Sequence, residues 1–177
     1  MSSNQPFTGL VAHSGRYQTQ ASAARELDEK REAIDQQIRA AQSVRVAEEL
    51  RAQAVNLIKD IIRSSDVEDA LHAENALYTL LSGRDDILGI IAMSKAEFIN
   101  VRAMAARLFF ANPASYPNSQ KIDSLHKALE KHDSPLIRLG VVLGLADAGA
   151  WEQVENFSGD AHPTVAERAR ELLDEAM

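Results

Sequence analysis

The sequence predicts an all-α fold, and three observations carry that expectation. Apolar residues recur at three- and four-residue spacing along most of the chain, as in "VAEELRAQAVNLIKDII" at 46–62. Aromatic residues make up only 5% of the chain while alanine and leucine are plentiful, a mix that suits packed helices better than strands. The helix opening in "HDSPLIRLGVVLGLADAG" at 132–149 returns near the end as "GDAHPTVAERARELL". One helical unit is therefore written more than once.

Residues 1–19 are rich in Ser, Gln, Asn, Thr and Gly, with isolated Phe7, Leu10, Val11 and Tyr17. Too little apolar surface is available there to offset the entropy of ordering, so a disordered tail is expected. The alternative is a short docking peptide around Phe7, Leu10 and Val11. A helical arm follows over 20–63. In its first half, Leu27, Ile34 and Ala41 stand seven apart with Ala24 and Ile38 on a neighbouring line, a narrow seam with mixed charges such as Glu26 and Lys30 beside it. That seam suits helix-to-helix contact, within the chain or by self-association through residues 20–42. From Val46 to Ile62 the stripe broadens through Leu50, Ala54, Leu57, Ile58 and Ile61 into a face that must pack on the rest of the protein. Gln42 and Ser43 interrupt the pattern weakly, leaving one long helix or a helical hairpin.

From residue 64 to 177 the helices shorten, and a single repeat domain is expected. Asp66 can cap "VEDALHAENALYTLL", and "SGRDD" at 82–86 breaks the chain before "ILGIIAM". "AEFINVRAMAARLFFAN" stops at Asn112 and Pro113, and the two prolines of "PASYPNS" forbid a helix there. "SQKIDSLHKALEKH" is the next helix. Asp133 reads as the cap of the one after it, which Gly149 ends. "AWEQVENF" and "PTVAERARELLDEA" complete the series.

Four of these helices share a register: Leu71, Asn75 and Leu80; Val101, Ala105 and Phe109; Ile137, Val141 and Leu145; Val165, Ala169 and Leu173. Their leading positions are 30, 36 and 28 residues apart, the period of stacked helix pairs that cannot bury their faces alone. Pro135, Ile137 and Arg138 in one copy, Asp160, Pro163, Val165 and Ala169 in another, and Val101, Arg102 and Ala105 in a third match a "P-x-V-R-x-x-A" opening. Over about 66–177 the chain thus resembles the HEAT-like repeat family. The resemblance implies a short α-solenoid, with the N-terminal long helix or hairpin covering its first end. It also implies that Arg102 and Arg138 reach acidic or carbonyl groups of the preceding turn, a ladder that Ala166 ends. In that family the second helix of each pair lines a concave inner surface, here about 84–94, 119–131 and 151–158.

The net charge of −7 falls after Ser64, since acidic and basic residues balance from Gln20 to Arg63. An acidic body argues against nucleic acid as the main ligand, because phosphate binding draws on Lys and Arg. No cysteine is present, and no two of His13, His72, His126, His132 and His162 have the i, i+4 spacing that sets two ligands on one helical face. Neither a metal site nor a cofactor is expected, and no Gly-rich phosphate loop occurs. The apolar runs are too short to span a bilayer, which makes a cytoplasmic protein without membrane contact the expectation.

The carboxylate pairs Asp85 with Asp86 and Glu152 with Glu155 lie beside turns among polar neighbours, where nothing would shift their pKa for acid or base work. No catalytic residue is therefore assigned. On the proposed inner helices Asp85, Asp86, Asp123, Glu130, Glu152 and Glu155 form a candidate protein-binding face, joined by Trp151 and by Tyr116 of the proline loop. Of Phe109 and Phe110, one should face inward and the other a neighbouring helix or a partner. "GVVLG" at 140–144 points to close helix packing. The reading is a non-enzymatic adaptor or scaffold whose acidic concave surface meets a basic protein partner. A nucleic-acid-associated repeat protein is the alternative, and an accessory subunit of a modifying enzyme or lyase the third.

Overall fold

The computed structural model describes residues 9–112 and 119–177, with side chains from residue 19 onward. Among the described residues the chain is all-helical, and no strand occurs. The first helix, α1, runs over Gly9–Arg63. It settles the choice between one helix and a hairpin: no Gly or Pro lies between Arg16 and Arg63, and Gln42 and Ser43 are tolerated in a helix interior. Within the span expected as a tail, residues from Gly9 onward belong to α1, since adding residues to an existing helix costs far less than starting one. Leu10 and Val11 lie on α1, while residues 1–8, with Phe7, lie outside the described residues.

The chain divides into two units, Met1–Val46 and Ala47–Met177. The residues from Ala47 to Arg63, expected as part of the arm, fall in the second of these units. Ala54, Val55 and Ile58 are buried in the core of the second unit, with Leu50, Leu57, Ile61 and Ile62 partly buried against it. Val46, expected on that face, is exposed instead.

In the second unit α2 (Val67–Leu80) starts at Asp66, whose carboxylate accepts from the backbone N–H of Glu68 at 2.7 Å and of Asp69 at 3.4 Å. Its buried residue is Leu77, with Leu81 buried just beyond the helix end, whereas Leu71 is 54% exposed and Asn75 is exposed. The expected register of the first copy is therefore wrong: the inward stripe is Ala70, Ala73, Leu77 and Leu81, which keeps the three- and four-residue spacing without meeting Asn75. Next comes α3 (Asp86–Met93), which buries Ile87, Leu88, Gly89, Ile91 and Ala92. It packs on α4 (Ile99–Ala111) and α5 (Gln120–Glu130).

The most extensive helix contact joins α4 to α6 (Pro135–Asp147). Gly140 and Gly144 make it close, since a β-carbon at either would run into the carbonyl oxygen of Ala103 or Arg107. The close packing read from "GVVLG" is what the two helices use. Beyond α6 lie α7 (Trp151–Glu155) and α8 (Pro163–Ala176), each in contact with α6 and with the other. Gly149 stops α6 at φ +70°, a left-handed conformation that favours glycine. Its N–H donates to Ala146 O at 3.0 Å and that of Ala150 to Leu145 O at 2.9 Å, which satisfies two carbonyls of the last turn.

The register of the other copies coincides with burial. Val101, Ala105 and Phe109 of α4, Ile137, Val141 and Leu145 of α6, and Val165 and Ala169 of α8 are all buried, with Leu172 buried and Leu173 partly so. Both phenylalanines are buried, and Phe110 meets a neighbouring helix, one of the two surroundings expected for the second ring. Phe109 meets Phe110 edge-on at 5.6 Å, and the His126 ring of α5 lies 4.8 and 4.4 Å from the two. Adjacent side chains on a helix diverge by about 100°. With α3, α5 and α6 packed around α4, both directions lead into protein.

Candidate functional site

The acidic residues singled out in the sequence differ in exposure. Asp85, just before α3, is buried, and burial with help from Asp86 pushes its carboxyl above the ordinary range. Asp86 is mostly buried and receives Arg84 Nε at 3.2 Å and Lys121 Nζ at 2.7 Å. Burial would raise its pKa, but the hydrogen bonds from Lys121 and Arg84 outweigh that and hold it below the usual carboxylate range. Asp85 is thus withdrawn from solvent, and the charge of Asp86 is balanced by Arg84 beside it and by Lys121, which ties α3 to α5. The cleft they share with Ser119 and Ile122 measures about 160 Å³.

Of the remaining candidates, Asp123 is exposed on α5, while Glu130 is half-buried with its carboxyl pushed upward by burial. The α7 residues stay together and in the open. Trp151 is 39% exposed, and Glu152 and Glu155 are exposed beside it. Trp151 and Glu152 border an open depression of about 450 Å³ lined also by Gly149, Ala150 and Gln153. Tyr116 lies outside the described residues.

Arg102 and Arg138 both reach backbone carbonyls, and Arg138 also reaches a carboxylate. Arg102 donates from Nε to Ala92 O at 3.0 Å, reaching back to α3, and its Nη2 lies 3.1 Å from His132 Nε2. Arg138 donates to His132 O at 2.6 Å and to Asp133 O at 3.1 Å, and grips Asp160 through Nε and Nη2. One line of polar contacts therefore runs from the end of α3 through the turn before α6 to the turn before α8. Ala166 leaves no arginine to extend it. Asp133 is not the cap of α6: Ser134 holds that position, without a side-chain cap bond, and donates its N–H to His132 Nδ1 at 3.0 Å.

The sequence reading missed an apolar groove of about 260 Å³ over the other side of α4 and α6, built by Ile62, Ala103, Met104, Leu136, Leu139 and Leu143. A signal for it existed. In α6, Leu136, Leu139 and Leu143 form a second apolar stripe beside the buried one of Ile137, Val141 and Leu145, so the helix is apolar on two sides. Arg107 at the groove edge is held by Asp147 at 2.6 and 3.1 Å. The same groups surround Tyr78, whose hydroxyl donates to Leu108 O at 3.2 Å and whose pKa is raised by burial and by Glu74.

The chain matches no protein-family model, no curated protein and no solved structure. Among the described residues no three His, Asp or Glu side chains converge to hold a metal ion, and no helix is long and apolar enough to cross a membrane.

Proposed function

We propose that the protein is a non-enzymatic adaptor or scaffold whose second unit is a short HEAT-like α-solenoid, and that it receives a basic segment of a partner protein at α7. The observation that carries this reading is Trp151, the only tryptophan, 39% exposed with Glu152 and Glu155 exposed on the same short helix. An exposed indole beside unpaired carboxylates suits a Lys or Arg side chain, which gains from the ring face and from the opposite charge together. Covered by a partner, such an aromatic carries a large share of the binding energy. The acidic excess after Ser64 favours the same class of partner and disfavours phosphate backbones. The solenoid part draws support from the shared register of α4, α6 and α8, from their successive contacts, and from the bonds of Arg102 and Arg138.

With a single tryptophan, intrinsic fluorescence reports on this surface alone. Titration with a Lys- and Arg-rich peptide should give a saturable change in emission that weakens with salt and is lost in Glu152→Gln with Glu155→Gln. No change even at low salt, or tighter binding to a generic DNA duplex that steepens as salt falls, would replace this reading by the nucleic-acid one.

A further inference from the structure

The first unit carries an apolar seam with no cover of its own. Leu27, Ile34 and Ile38 are 52%, 54% and 49% exposed. With Ala24 and Ala41 they follow the alternating three- and four-residue spacing of a heptad. Ala24, Arg31 and Ile38 take the a positions, and Leu27, Ile34 and Ala41 the d positions. The flanking e positions hold Asp28 and Asp35, and the g positions Lys30 and Gln37. Lys30 lies 2.8 Å from Glu26 and Arg31 4.0 Å from Asp28, exposed pairs weak enough to be exchanged for others.

We propose that residues 24–41 pair with the same segment of a second copy of this chain, in register, as a parallel two-stranded coiled coil. Charge decides the direction. In a parallel pair each g position faces the e position five residues on in the other strand, so Lys30 meets Asp35 of the second copy twice by symmetry, and no like charges meet across the flanks. In an antiparallel pair e faces e, and every heptad register then sets Asp28 or Asp35 against one of the same two aspartates. Arg31 decides the number of strands. At an a position of a two-stranded coil its long stem can pack while the guanidinium turns outward to carboxylates, whereas a core of three or four strands would enclose the charge. The seam is short, so the pairing is weak and depends on concentration. The inference is independent of the surface at Trp151.

Sedimentation equilibrium of the full chain tests it, with the helicity and melting of each variant checked by circular dichroism. A reversible monomer–dimer equilibrium is expected. Lys30→Glu and Asp35→Lys should each weaken it roughly tenfold, by turning attractive flank pairs repulsive, and the double variant should restore it. Ile34→Asp should abolish it. Because the chain has no cysteine, Leu27→Cys gives a further reading, and mild oxidation should link like positions into a covalent dimer. A monomer at every concentration, a dimer that survives Ile34→Asp, or an Asp35→Lys variant that dimerises more tightly, as antiparallel pairing requires, overturns the proposal.

Discussion

Arg138 and Asp160 form a forked ion pair, Nε to Oδ2 and Nη2 to Oδ1 both at 2.8 Å, with side chains only 14% and 9% exposed. Such a pair adds little over well-packed apolar residues, but removing one partner strands the other's charge. Arg138→Ala should therefore cost about 3 kcal/mol in thermal or urea unfolding. Arg138→Lys should recover only part of that, since an ammonium cannot reproduce the fork. The Asp160 carboxyl is held below its ordinary range, first by the hydrogen bonds from Arg138. Its contribution is whole above the unfolded pKa of about 3.9 and is lost as pH falls through the lower folded value. Melts taken downward from about pH 5 should show that loss in the native chain and a shallower one in Asp160→Asn.

His132 predicts a second pH dependence at milder acidity. Its Nδ1 accepts from the Ser134 N–H, so the neutral ring carries its one proton on Nε2, 3.1 Å from the Arg102 guanidinium. Burial, and after it Arg102 with smaller contributions from Arg138 and Lys95, depresses its pKa against the opposing pull of Asp133. The folded protein thus holds the ring neutral to lower pH than the unfolded chain does. Its contribution to stability is full above the unfolded pKa of about 6.5 and declines as pH drops below that value, because the unfolded chain then takes up the proton first. His132→Gln should flatten the dependence of melting temperature on pH between about 7 and 5. An unchanged slope would place the titration elsewhere.

The contact between α4 and α6 tolerates no methyl group. Gly140→Ala and Gly144→Ala set a carbon against the main-chain oxygens of Ala103 and Arg107, which cannot move without shifting a helix. Each should destabilise by about 1–3 kcal/mol despite the better helix propensity of alanine. Gly159→Ala, which meets nothing within 4 Å, is the control and should leave the melting temperature almost unchanged.

The two ends of the repeat register differ in a way that mutation can read. Ile137 is fully buried, so Ile137→Ala should cost roughly 2–5 kcal/mol. Leu71 is half-exposed, and Leu71→Ala should stay within about 0.5 kcal/mol. Equal losses in denaturant titrations would mean that α2 packs through the stripe first expected of it.

What the sequence made legible was whatever a short window of residues decides. Asp66 as a cap, Gly149 as a stop, and the burial of Val101, Ile137 and Val165 follow from spacing and local backbone chemistry. That Arg102 and Arg138 reach acidic or carbonyl groups is implied only by the resemblance of the shared opening. What escaped depends on residues distant in sequence. Asp85 and Asp86 look like solvated turn residues until Lys121, 35 positions after Asp86, comes to 2.7 Å. Which surroundings Phe110 has is settled only when α5 brings His126 onto it. The groove beside Leu136 exists only because Met104 and Ile62 arrive from two other helices.

The placement of α6 has a consequence for how the domain opens. It touches α4, α5, α7 and α8, and it is apolar on two sides. No single neighbour can depart and leave it solvated at low cost. Its amide protons should therefore exchange with deuterium only through global opening, while α8, which packs mainly on α6 and α7, can fray from Met177 inward on its own. Exchange rates read along the chain would then trace the order in which the domain comes apart, from the C-terminal edge towards a centre that yields last.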